Sequence, residues 1–425
     1  MVLSETSNQK FMESLMFFKI YIFLSVFISY PLISKADLAS ETVYLTWKKS
    51  PTTTMTIQWI SHDDRSENRI FYSQKDSSEW HEAKGHATRF PQTLNYLIHQ
   101  VELLSLKPET EYVFKLHENP KEYLFKTMPL TLNSPVRFVV GGDMYHDEPE
   151  FLHTTCKQAA LFNPSFAIVG GDIAYASPSK PFQGQKIERW IKWVQCWHQE
   201  MVTPKGHLIP VIAAVGNHDV SGNYNQTPAQ ARIFSGLFPM PGPQIYNVLD
   251  FSSYLSIFLL DSGHANPVSG KQVEWLKTVL EERKSITNRF AVYHIPAYSS
   301  VRPFDNELSQ NIRKYWVPHF EQGGIQTAFE HHDHAYKRTH PLLNNKIHPD
   351  GIIYLGDGAW GVKKARKPKN SRRKRPYLAK FASERHFIGV ILQNDQQTFL
   401  SINSEGNKLD ECTRKITKQV INTSP

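Results

Sequence analysis

The chain has 425 residues, of which 40% are hydrophobic and 12% aromatic, with nine Trp. This length suits two domains, and this composition excludes a disordered chain. Three Cys are too few for a disulfide scaffold. The formal net charge is +8, but nine of the thirteen residues from Lys363 to Arg375 are Lys or Arg, so the rest of the chain sums to about −1. A nucleic-acid function inferred from the overall charge would therefore rest on one segment.

The N-terminal segment is typical of a secretory signal peptide. An apolar run from Ile20 to Ile33 follows Lys19, and as a helix it would span roughly 21 Å, short of the ~30 Å of a bilayer core. Small residues then lead to a predicted cleavage after Ala36, so residues 1–36 are assigned to the signal peptide. The mature protein is expected to be secreted, extracellular or periplasmic. The alternatives are an uncleaved membrane anchor and a buried core helix.

Residues 37–130 have the periodicity of an antiparallel β-sandwich. Apolar and polar residues alternate from Met55 to Ile60, as in a strand with one buried face. Polar stretches containing Pro or Gly separate this run from others that are rich in β-branched and aromatic residues. Strands are predicted at Thr42–Trp47, Met55–Ile60, Asn68–Tyr72, Tyr96–Leu104, Glu111–Leu116 and Glu122–Lys126.

Residues 131–412 follow an α/β pattern, and residues 413–425 are assigned to a C-terminal tail. Short apolar runs alternate with segments of helical period such as Glu188–Met201 and Gln272–Lys284. This alternation predicts strands that are buried on both faces and covered by helices. The predicted strands are Val136–Val140, Phe166–Val169, Val211–Val215, Tyr254–Leu260, Phe290–Tyr293, Gln326–Phe329 and Ile352–Leu355.

Side chains that bind metals follow five of these apolar runs. The carboxyl ends of strands in open α/β sheets form the usual ligand site, so these side chains are expected to converge on one rim. Asp, Asn, His and Tyr donors without thiolates suit Zn, Fe or Mn, and a carboxylate such as Asp172 can bridge two ions about 3.5–4 Å apart. The candidate ligands are Asp143, Asp172, Tyr175, Asn217, His294, His332 and His334.

The motifs at these strand ends resemble those of purple acid phosphatases, within the calcineurin-like metallophosphoesterases. They are Gly-Asp-x, Gly-Gly-Asp-x-x-Tyr, Gly-Asn-His-Asp, His-x-Pro and His-x-His-x-Tyr-x-Arg. Leu104–Phe114 and Leu124–Met128 are similar to strands of the fibronectin-type-III-like domain that precedes the catalytic domain in this family. Ile353–Gly358 is similar to its closing strand and turn. The resemblance implies a fibronectin-III-like β-sandwich followed by a four-layer α/β metallophosphoesterase sandwich.

The resemblance also implies a binuclear centre of Fe³⁺ with Zn²⁺, Fe²⁺ or Mn²⁺. Asp172 would bridge the two ions. The first ion would be bound by Asp143, Asp172, Tyr175 and His334, and the second by Asn217, His294 and His332.

Two of the implied roles have alternatives. His218 would contact the phosphate or protonate the leaving oxygen; the alternative is a structural His that orients Asn217 or another ligand. Tyr175 would bind ferric iron as a phenolate; the alternative is a packed aromatic residue in a two-metal enzyme without iron.

Two positions depart from the family pattern, and both replace a glycine. Tyr145 follows Met144 where the family has Gly, and this is expected to crowd or reshape the loop. His331 stands before the His-x-His pair, where the family also has Gly. The spacing favours His332 over His331 as the ligand. His146 and His319 are expected to be ordinary surface or core residues.

The implied function is that of an acid phosphatase that cleaves phosphate monoesters by attack of a metal-bound hydroxide. Its partners would be small phosphorylated substrates, with no specific nucleic acid. The basic segment Lys363–Arg375 is predicted to be a mobile, solvated loop, and its alternative role is contact with polyanions. The rival functions are a phosphodiesterase with the same metals and a non-catalytic surface binding protein.

Overall fold

The computed structural model describes residues 38–39, 41–62, 67–117, 119–177, 184–242, 244–356, 358–367 and 375–416. The predicted signal peptide, residues 1–36, lies outside these described residues. No helix within the described ranges combines the length and the apolar character that crossing a membrane requires.

The N-terminal region forms two antiparallel sheets, as the alternating sequence pattern predicts. One sheet has the strand order β1-β2-β6-β5 and the other β4-β3-β7-β8. Ile57 and Val101 of the first sheet share a buried cluster with Phe114 and Phe125 of the second. The strands are β1 (Tyr44–Thr46), β2 (Met55–Ser61), β3 (Arg69–Gln74), β4 (His81–Lys84), β5 (His86–Arg89), β6 (Leu97–Leu103), β7 (Glu111–Leu116) and β8 (Glu122–Lys126).

Two strands of this region, β4 and β5, are absent from the sequence-based prediction. Their residues are mostly exposed, and neither segment alternates apolar with polar side chains. Backbone pairing rather than burial holds them, since β4 pairs with β3 and β5 pairs with β6.

The second region contains helices that alternate with strands, and then ends in a series of strands. The helices are α1 (Pro149–Leu161), α2 (Ile187–Glu200), α3 (Arg232–Leu237), α4 (Lys271–Glu281), α5 (Glu307–Tyr315) and α6 (Val317–Gln322). The strands are β9 (Val136–Gly141), β10 (Phe166–Gly170), β11 (Val211–Ala214), β12 (Asn247–Phe251), β13 (Leu255–Leu259), β14 (Asn288–Val292), β15 (Thr327–Glu330), β16 (Tyr336–Thr339), β17 (Leu342–Leu343), β18 (Lys346–Ile347), β19 (Ile353–Gly356), β20 (Leu378–Ala382), β21 (His386–Gln393), β22 (Gln396–Asn403) and β23 (Lys408–Lys415).

Most of these strands form two mixed sheets. The first has the order β11-β10-β9-β21-β22-β23, and the second β12-β13-β14-β15-β19-β16-β20. The pairs β9–β10, β10–β11, β13–β14, β14–β15 and β15–β19 are parallel. Parallel strands end at a common edge, so the loops after them lie side by side.

The two sheets pack face to face, with helices on their outer faces. Phe138 and Ile168 of the first sheet share a buried cluster with Ile257 and Phe329 of the second. Residues that alternate with these along the strands, such as Val139, face the other side of the first sheet and pack with α1 and α2. The outer face of the second sheet packs with α4, α5 and α6. This arrangement confirms the predicted order of four layers, helix, sheet, sheet and helix.

The last strand, β23, passes the predicted end of the catalytic domain at residue 412. Thr413 pairs with Thr398, and Lys415 pairs with Gln396 on β22. Charged and polar residues dominate this edge strand, so its sequence does not indicate β-structure. Edge strands commonly carry such residues, which discourage pairing with other chains.

Candidate metal centre

The predicted ligands follow strands of both sheets, and the structure brings them to one rim. Asp143 and Asp172 follow β9 and β10, which are paired in parallel, and Asn217 follows β11. His294 follows β14 of the second sheet, and the His332–His334 segment follows β15. The backbone N–H of His332 donates to Oδ2 of Asp143 at 2.9 Å, which joins the loops of the two sheets.

A first cluster consists of Asp143, Tyr175 and His334. The Tyr175 hydroxyl donates to Oδ1 of Asp143 at 2.8 Å and lies 3.0 Å from Nε2 of His334. The same His334 nitrogen lies 2.8 Å from Oδ1 of Asp143. Three donor atoms therefore surround one point, in the grouping that the resemblance implies for the first ion.

A second cluster consists of Asp172, His294 and His332. Their ligand atoms all lie within 4.8 Å of one another. Nε2 of His294 is 3.2 Å from Oδ2 of Asp172 and 3.1 Å from Nδ1 of His332. The other nitrogen of His294 lies 2.9 Å from the carbonyl oxygen of Gly170, and such a partner fixes the ring orientation of a metal-binding His.

Asn217 and His218 lie beside the second cluster. The backbone N–H of His218 donates to Oδ1 of Asp172 at 2.7 Å, and the imidazole stacks on Tyr175 at 4.5 Å between ring centroids. Oδ1 of Asn217 is buried and has no hydrogen-bond partner within the described part of the chain. A buried amide oxygen without a donor is costly in an apolar setting, and a cation would satisfy it.

The ligand loops share an unusual backbone conformation. Five non-glycine residues of the two clusters have positive φ: Asp143 at 55°, Asp172 at 54°, Tyr175 at 49°, His332 at 74° and His334 at 57°. Such a conformation costs about 1–3 kcal/mol at each position and persists where the surrounding structure enforces it. The presence of five such residues in the two clusters indicates that the surrounding structure holds the ligand loops in a specific geometry at a cost in stability.

The electrostatics of the rim depend on burial and on close charges. Burial raises the pKa of Asp172, but the charges of His294 and His218 outweigh it and hold that pKa well below its usual range. Burial lowers the pKa of His294, whereas Asp172 and Asp143 raise it to about 9. Burial, followed by the charges of Asp143 and Asp172, raises the pKa of Tyr175 well above its usual range. Bound cations would favour the phenolate instead, because nearby positive charge stabilises an anion.

Asp219 supports the rim without belonging to the predicted ligands. Its buried carboxylate accepts hydrogen bonds from the backbone N–H groups of Asp172, Ile173 and Gly216 at 2.8 to 2.9 Å. It therefore holds the loop after β10 against the loop after β11. The sequence signal was present, because Asp219 directly follows His218 in the Gly-Asn-His-Asp motif.

Arg189 of α2 braces the loops after β9 and β10 from outside. Its Nε donates to the carbonyl oxygen of Ala174 at 2.7 Å, and its Nη2 donates to the carbonyl oxygen of Tyr145. The guanidinium also lies 4.1 Å from the centroid of the Tyr145 ring. Tyr145 therefore stacks under a cation at this loop, and no sequence signal near the motif pointed to Arg189.

His331 packs behind the rim and takes no part in either cluster. Its Nδ1 lies 3.0 Å from the carbonyl oxygen of Tyr293, and burial lowers its pKa to about 4. A Cβ on Gly170 would lie 1.8 Å from Cε1 of the His331 ring, so this ring fits only over a glycine. The arrangement agrees with the preference for His332 over His331.

His146 and the basic segment differ from their predicted roles. The His146 ring lies 4.6 Å from Tyr175 and 5.0 Å from His334 by ring centroids, so it borders the first cluster. Arg366 donates its backbone N–H to the carbonyl oxygen of His334 at 2.8 Å, and Arg375 is buried. The prediction of a solvated loop is therefore wrong for Arg375, whereas Lys363, Lys364 and Lys367 are exposed; residues 368–374 lie outside the described residues.

The residues present fit a pair of cations. Carboxylate, imidazole, phenol and amide donors converge from five loops without a thiolate, which is the donor set of Zn, Fe or Mn sites. The buried oxygen of Asn217 has no hydrogen-bond partner among the described residues, and the resemblance implies that it binds the second ion.

Two family models match this chain in sequence. The purple acid phosphatase N-terminal domain matches residues 40–127, and the calcineurin-like phosphoesterase domain matches residues 136–336. Purple acid phosphatase 15 of Arabidopsis thaliana is 26% identical over 320 residues, covering 65% of this chain and 58% of the relative. Purple acid phosphatase 22 of the same plant is 23% identical over 316 residues, covering 72% of this chain and 69% of the relative. The chain thus matches less than two thirds of the length of the first relative.

A solved structure with the same fold is purple acid phosphatase PPD1 from yellow lupin (Lupinus luteus) seeds. It superposes with a TM-score of 0.72 at 17% identity, covering 88% of this chain and 74% of the lupin chain. Both family models match in the order in which the structure places the β-sandwich and the α/β domain. The chain belongs to the purple acid phosphatases, with their N-terminal domain followed by a calcineurin-like phosphoesterase domain.

Proposed function

We propose that this protein is a metal-dependent acid phosphatase that hydrolyses phosphate monoesters at a binuclear centre. The observation that carries the proposal is the convergence of two donor clusters, Asp143–Tyr175–His334 and Asp172–His294–His332, at one buried rim. Asn217 would complete the second cluster, and Asp172 would contribute to the binding of both ions. Two cations bound there would lower the pKa of a coordinated water and stabilise charge that develops on the phosphoryl oxygens.

The remaining chemistry falls to the side chains that border the clusters. His218 is partly exposed, and its ring position is fixed by stacking on Tyr175 and by its own N–H bond to Asp172. From this position its imidazole contacts the phosphoryl group or donates a proton to the leaving oxygen. His294 and His332 would supply imidazole nitrogens to the second ion, whose charge would replace the proton that Asp172 and Asp143 otherwise favour on His294.

Removal of a ligand from the second cluster tests the proposal. In Asp172→Ala and His332→Ala, we expect metal content and turnover of p-nitrophenyl phosphate to fall sharply, because each change opens the cluster. Metal content is measured by elemental analysis and turnover by release of p-nitrophenol. Retained activity in both variants would contradict the assignment of these residues as metal ligands. The matched control is Asp76→Ala, at an exposed position of the sandwich.

Monoester and diester hydrolysis share this donor set, so substrate comparison separates them. We expect a higher kcat/KM for p-nitrophenyl phosphate than for bis-p-nitrophenyl phosphate. The opposite order would favour the phosphodiesterase alternative. Binding of phosphate esters without turnover would favour a non-catalytic binding protein.

The identity of the metals and the secreted location belong to the same proposal. The hydroxyl of Tyr175 lies in the first cluster, within reach of an ion that Asp143 and His334 bind. This position supports Fe³⁺ in the first site, with Zn²⁺, Fe²⁺ or Mn²⁺ in the second. N-terminal sequencing of the protein recovered from the medium of an expressing cell tests cleavage after Ala36.

The basic segment gives the proposed enzyme a preference for substrates with several negative charges. Lys363 donates its backbone N–H to Asp147 at 2.7 Å, and Arg366 donates its own to His334, so positive charge begins beside the first cluster. Attraction of an anion to such a patch weakens as salt screens it. We expect kcat/KM for a polyphosphorylated substrate to fall more steeply with salt than that for a monophosphate, and Arg366→Gln to reduce the difference.

A further inference from the structure

We propose that Arg302 binds the phosphoryl oxygens of the substrate at the mouth of the metal centre. The proposal rests on the phosphatase function above and adds a specificity-determining residue to it. Arg302 lines a cavity of about 640 Å³ together with His332 and Tyr224. Guanidinium groups bind phosphate through parallel N–H···O hydrogen bonds, which give direction as well as charge.

The guanidinium lies next to a ligand of the second cluster. Its Nη2 donates to the carbonyl oxygen of His332 at 3.3 Å. The positive charge of Arg302 therefore lies next to the cluster where the phosphoryl group would sit.

Arg302 has hydrogen-bond donors to spare. A guanidinium has five N–H donors, and the bond to His332 occupies one of them. Its Nε is buried and has no hydrogen-bond acceptor among the residues that the structure describes. Oδ1 of Asp333 is 3.6 Å from this Nε, longer than the 2.7–2.9 Å typical of a charge-assisted hydrogen bond. Asp333 therefore forms a loose ion pair with Arg302 and leaves the terminal N–H groups, apart from the one that bonds to His332, for a ligand.

Asp333 instead fixes the backbone that carries Arg302. This fully buried carboxylate accepts hydrogen bonds from the N–H of Val301 at 2.7 Å and from the N–H of Arg302 at 3.2 Å. It also accepts from the Ser299 hydroxyl. Because Asp333 lies between His332 and His334 in sequence, the turn that presents Arg302 is tied directly to the ligand loop.

Arg375 holds the same turn from the other side. It is buried and donates to the carbonyl oxygens of Ser299, Val301 and Arg302 at 2.5, 3.2 and 2.6 Å. In the turn from residue 299 to residue 302, Asp333 therefore holds two N–H groups and Arg375 holds three carbonyl groups. A binding residue on a backbone fixed in this way loses little entropy when its ligand arrives.

The lining of the cavity leaves room for a leaving group beyond the phosphate. Glu307 at the exposed start of α5 is its acidic residue, while Ile295, Val268 and Leu308 add apolar surface. An anionic phosphoryl group would lie at the Arg302 and His332 end, and an uncharged alcohol moiety would extend along the apolar part. This division follows from charge, since a phosphate placed near Glu307 would be repelled.

The test compares Arg302→Met and Arg302→Lys with Arg89→Met, which removes the same charge from an exposed strand of the sandwich. Inorganic phosphate is the probe, measured as an inhibition constant and by calorimetry on metal-loaded protein. We expect Arg302→Met to raise the inhibition constant and the KM for p-nitrophenyl phosphate about tenfold, with metal content unchanged. Arg302→Lys should recover part of the loss, and Arg89→Met should match the wild type.

Two outcomes would overturn the proposal. An inhibition constant within about twofold of wild type in Arg302→Met would show that the guanidinium does not contact phosphate. Loss of metal from Arg302→Met would show that the residue only supports His332. If the wild type proved inactive on phosphate esters, the calorimetric arm would still decide whether Arg302 binds phosphate, so the failure of the proposed function and the failure of this inference are distinguishable.

Discussion

Two buried imidazoles, one in each region of the molecule, show how differently the regions use polar side chains. His99 of the sandwich lies between the Ser61 hydroxyl and Oδ1 of Asn68, each 2.7 Å from a ring nitrogen. His294 of the α/β domain is equally buried, but the carboxylate of Asp172 lies 3.2 Å from its Nε2. Burial is common to both, so the partners make the difference.

The consequence appears in the proton affinity of the two rings. Burial lowers the pKa of His99 to about 4, because its neutral partners do not compensate the lost hydration of the cation. Burial also lowers the pKa of His294, but Asp172 and Asp143 raise it to about 9. The sandwich pairs His99 with two neutral groups of its own, whereas the rim places His294 beside carboxylates that favour a cation. The comparison teaches that burial alone does not identify a functional histidine.

The largest expected effect comes from replacing each of the two imidazoles, those of His294 and His99, by an amide. His294→Gln removes a nitrogen that lies 3.1 Å from His332 and 3.2 Å from Asp172, so we expect turnover to fall about 10³-fold and metal content to fall with it. Elemental analysis and p-nitrophenyl phosphate turnover measure both. The matched control is His99→Gln, which should keep wild-type turnover at neutral pH. Equal losses in the two variants would contradict the distinction.

Tyr175 gives a second test, in which the main measurement is the visible absorption spectrum. Its phenol bonds to Asp143 and His334 in the first cluster, so Tyr175→Phe should abolish a phenolate-to-iron band in the visible spectrum and lower turnover about tenfold. Tyr112→Phe is the control, because this sandwich tyrosine accepts a hydrogen bond from the backbone of Lys107. An active wild type without such a band, loaded with zinc, would favour the alternative of a packed aromatic residue.

Much of the rim could be predicted because its information is local in sequence. A run such as Phe166–Val169 predicts a buried strand, and the Gly-Gly-Asp that follows predicts a turn at the carboxyl end of that strand. Each motif therefore places its own ligand, and the parallel order of the strands brings the ligands together. The spacing of His332 and His334 likewise separates them into two clusters.

The supports of the rim could not be predicted because they come from distant parts of the chain. Arg189 belongs to the amphipathic helix α2 and bonds to carbonyl groups of two loops, Ala174 and Tyr145. Arg375 belongs to a charged run whose composition indicates solvent exposure, yet it is buried by backbone carbonyl groups. Every residue has a backbone carbonyl group, so the sequence does not show which carbonyl groups a side chain will bind. Such side-chain partners can be identified only once the fold is known.

Replacement of Arg189 is expected to have a smaller effect than replacement of a ligand. Loss of its hydrogen bonds to Ala174 and Tyr145 should loosen the backbone that places Asp143 and Asp172, and outer partners of this kind typically change metal affinity by about 10–100-fold. We expect Arg189→Met to require that much more metal for half-loading in a titration, with Arg189→Lys intermediate. Exposed Arg137→Met on β9 is the control. Unchanged metal affinity in Arg189→Met would show that the loops hold themselves.

The smallest effect concerns the sandwich alone and its response to acid. Because the folded pKa of His99 is about 4 and the unfolded value is near 6.5, only the unfolded chain binds this proton between those values. The free energy of unfolding should therefore fall by about 2 kcal/mol from this residue when the pH drops from 7.5 to 5.0.

His99→Gln should remove that part of the acid sensitivity, while exposed His86→Gln should keep it. The variant also loses the stacking of the ring on Trp59, at 4.7 Å between centroids, and this loss lowers stability at every pH. Urea unfolding at both pH values separates the two effects, since the stacking loss cancels in the difference between them. An acid-induced drop in His99→Gln equal to that of the wild type would show that the buried ring of the sandwich titrates as it does in the unfolded chain, and the contrast with His294 would then lose its basis.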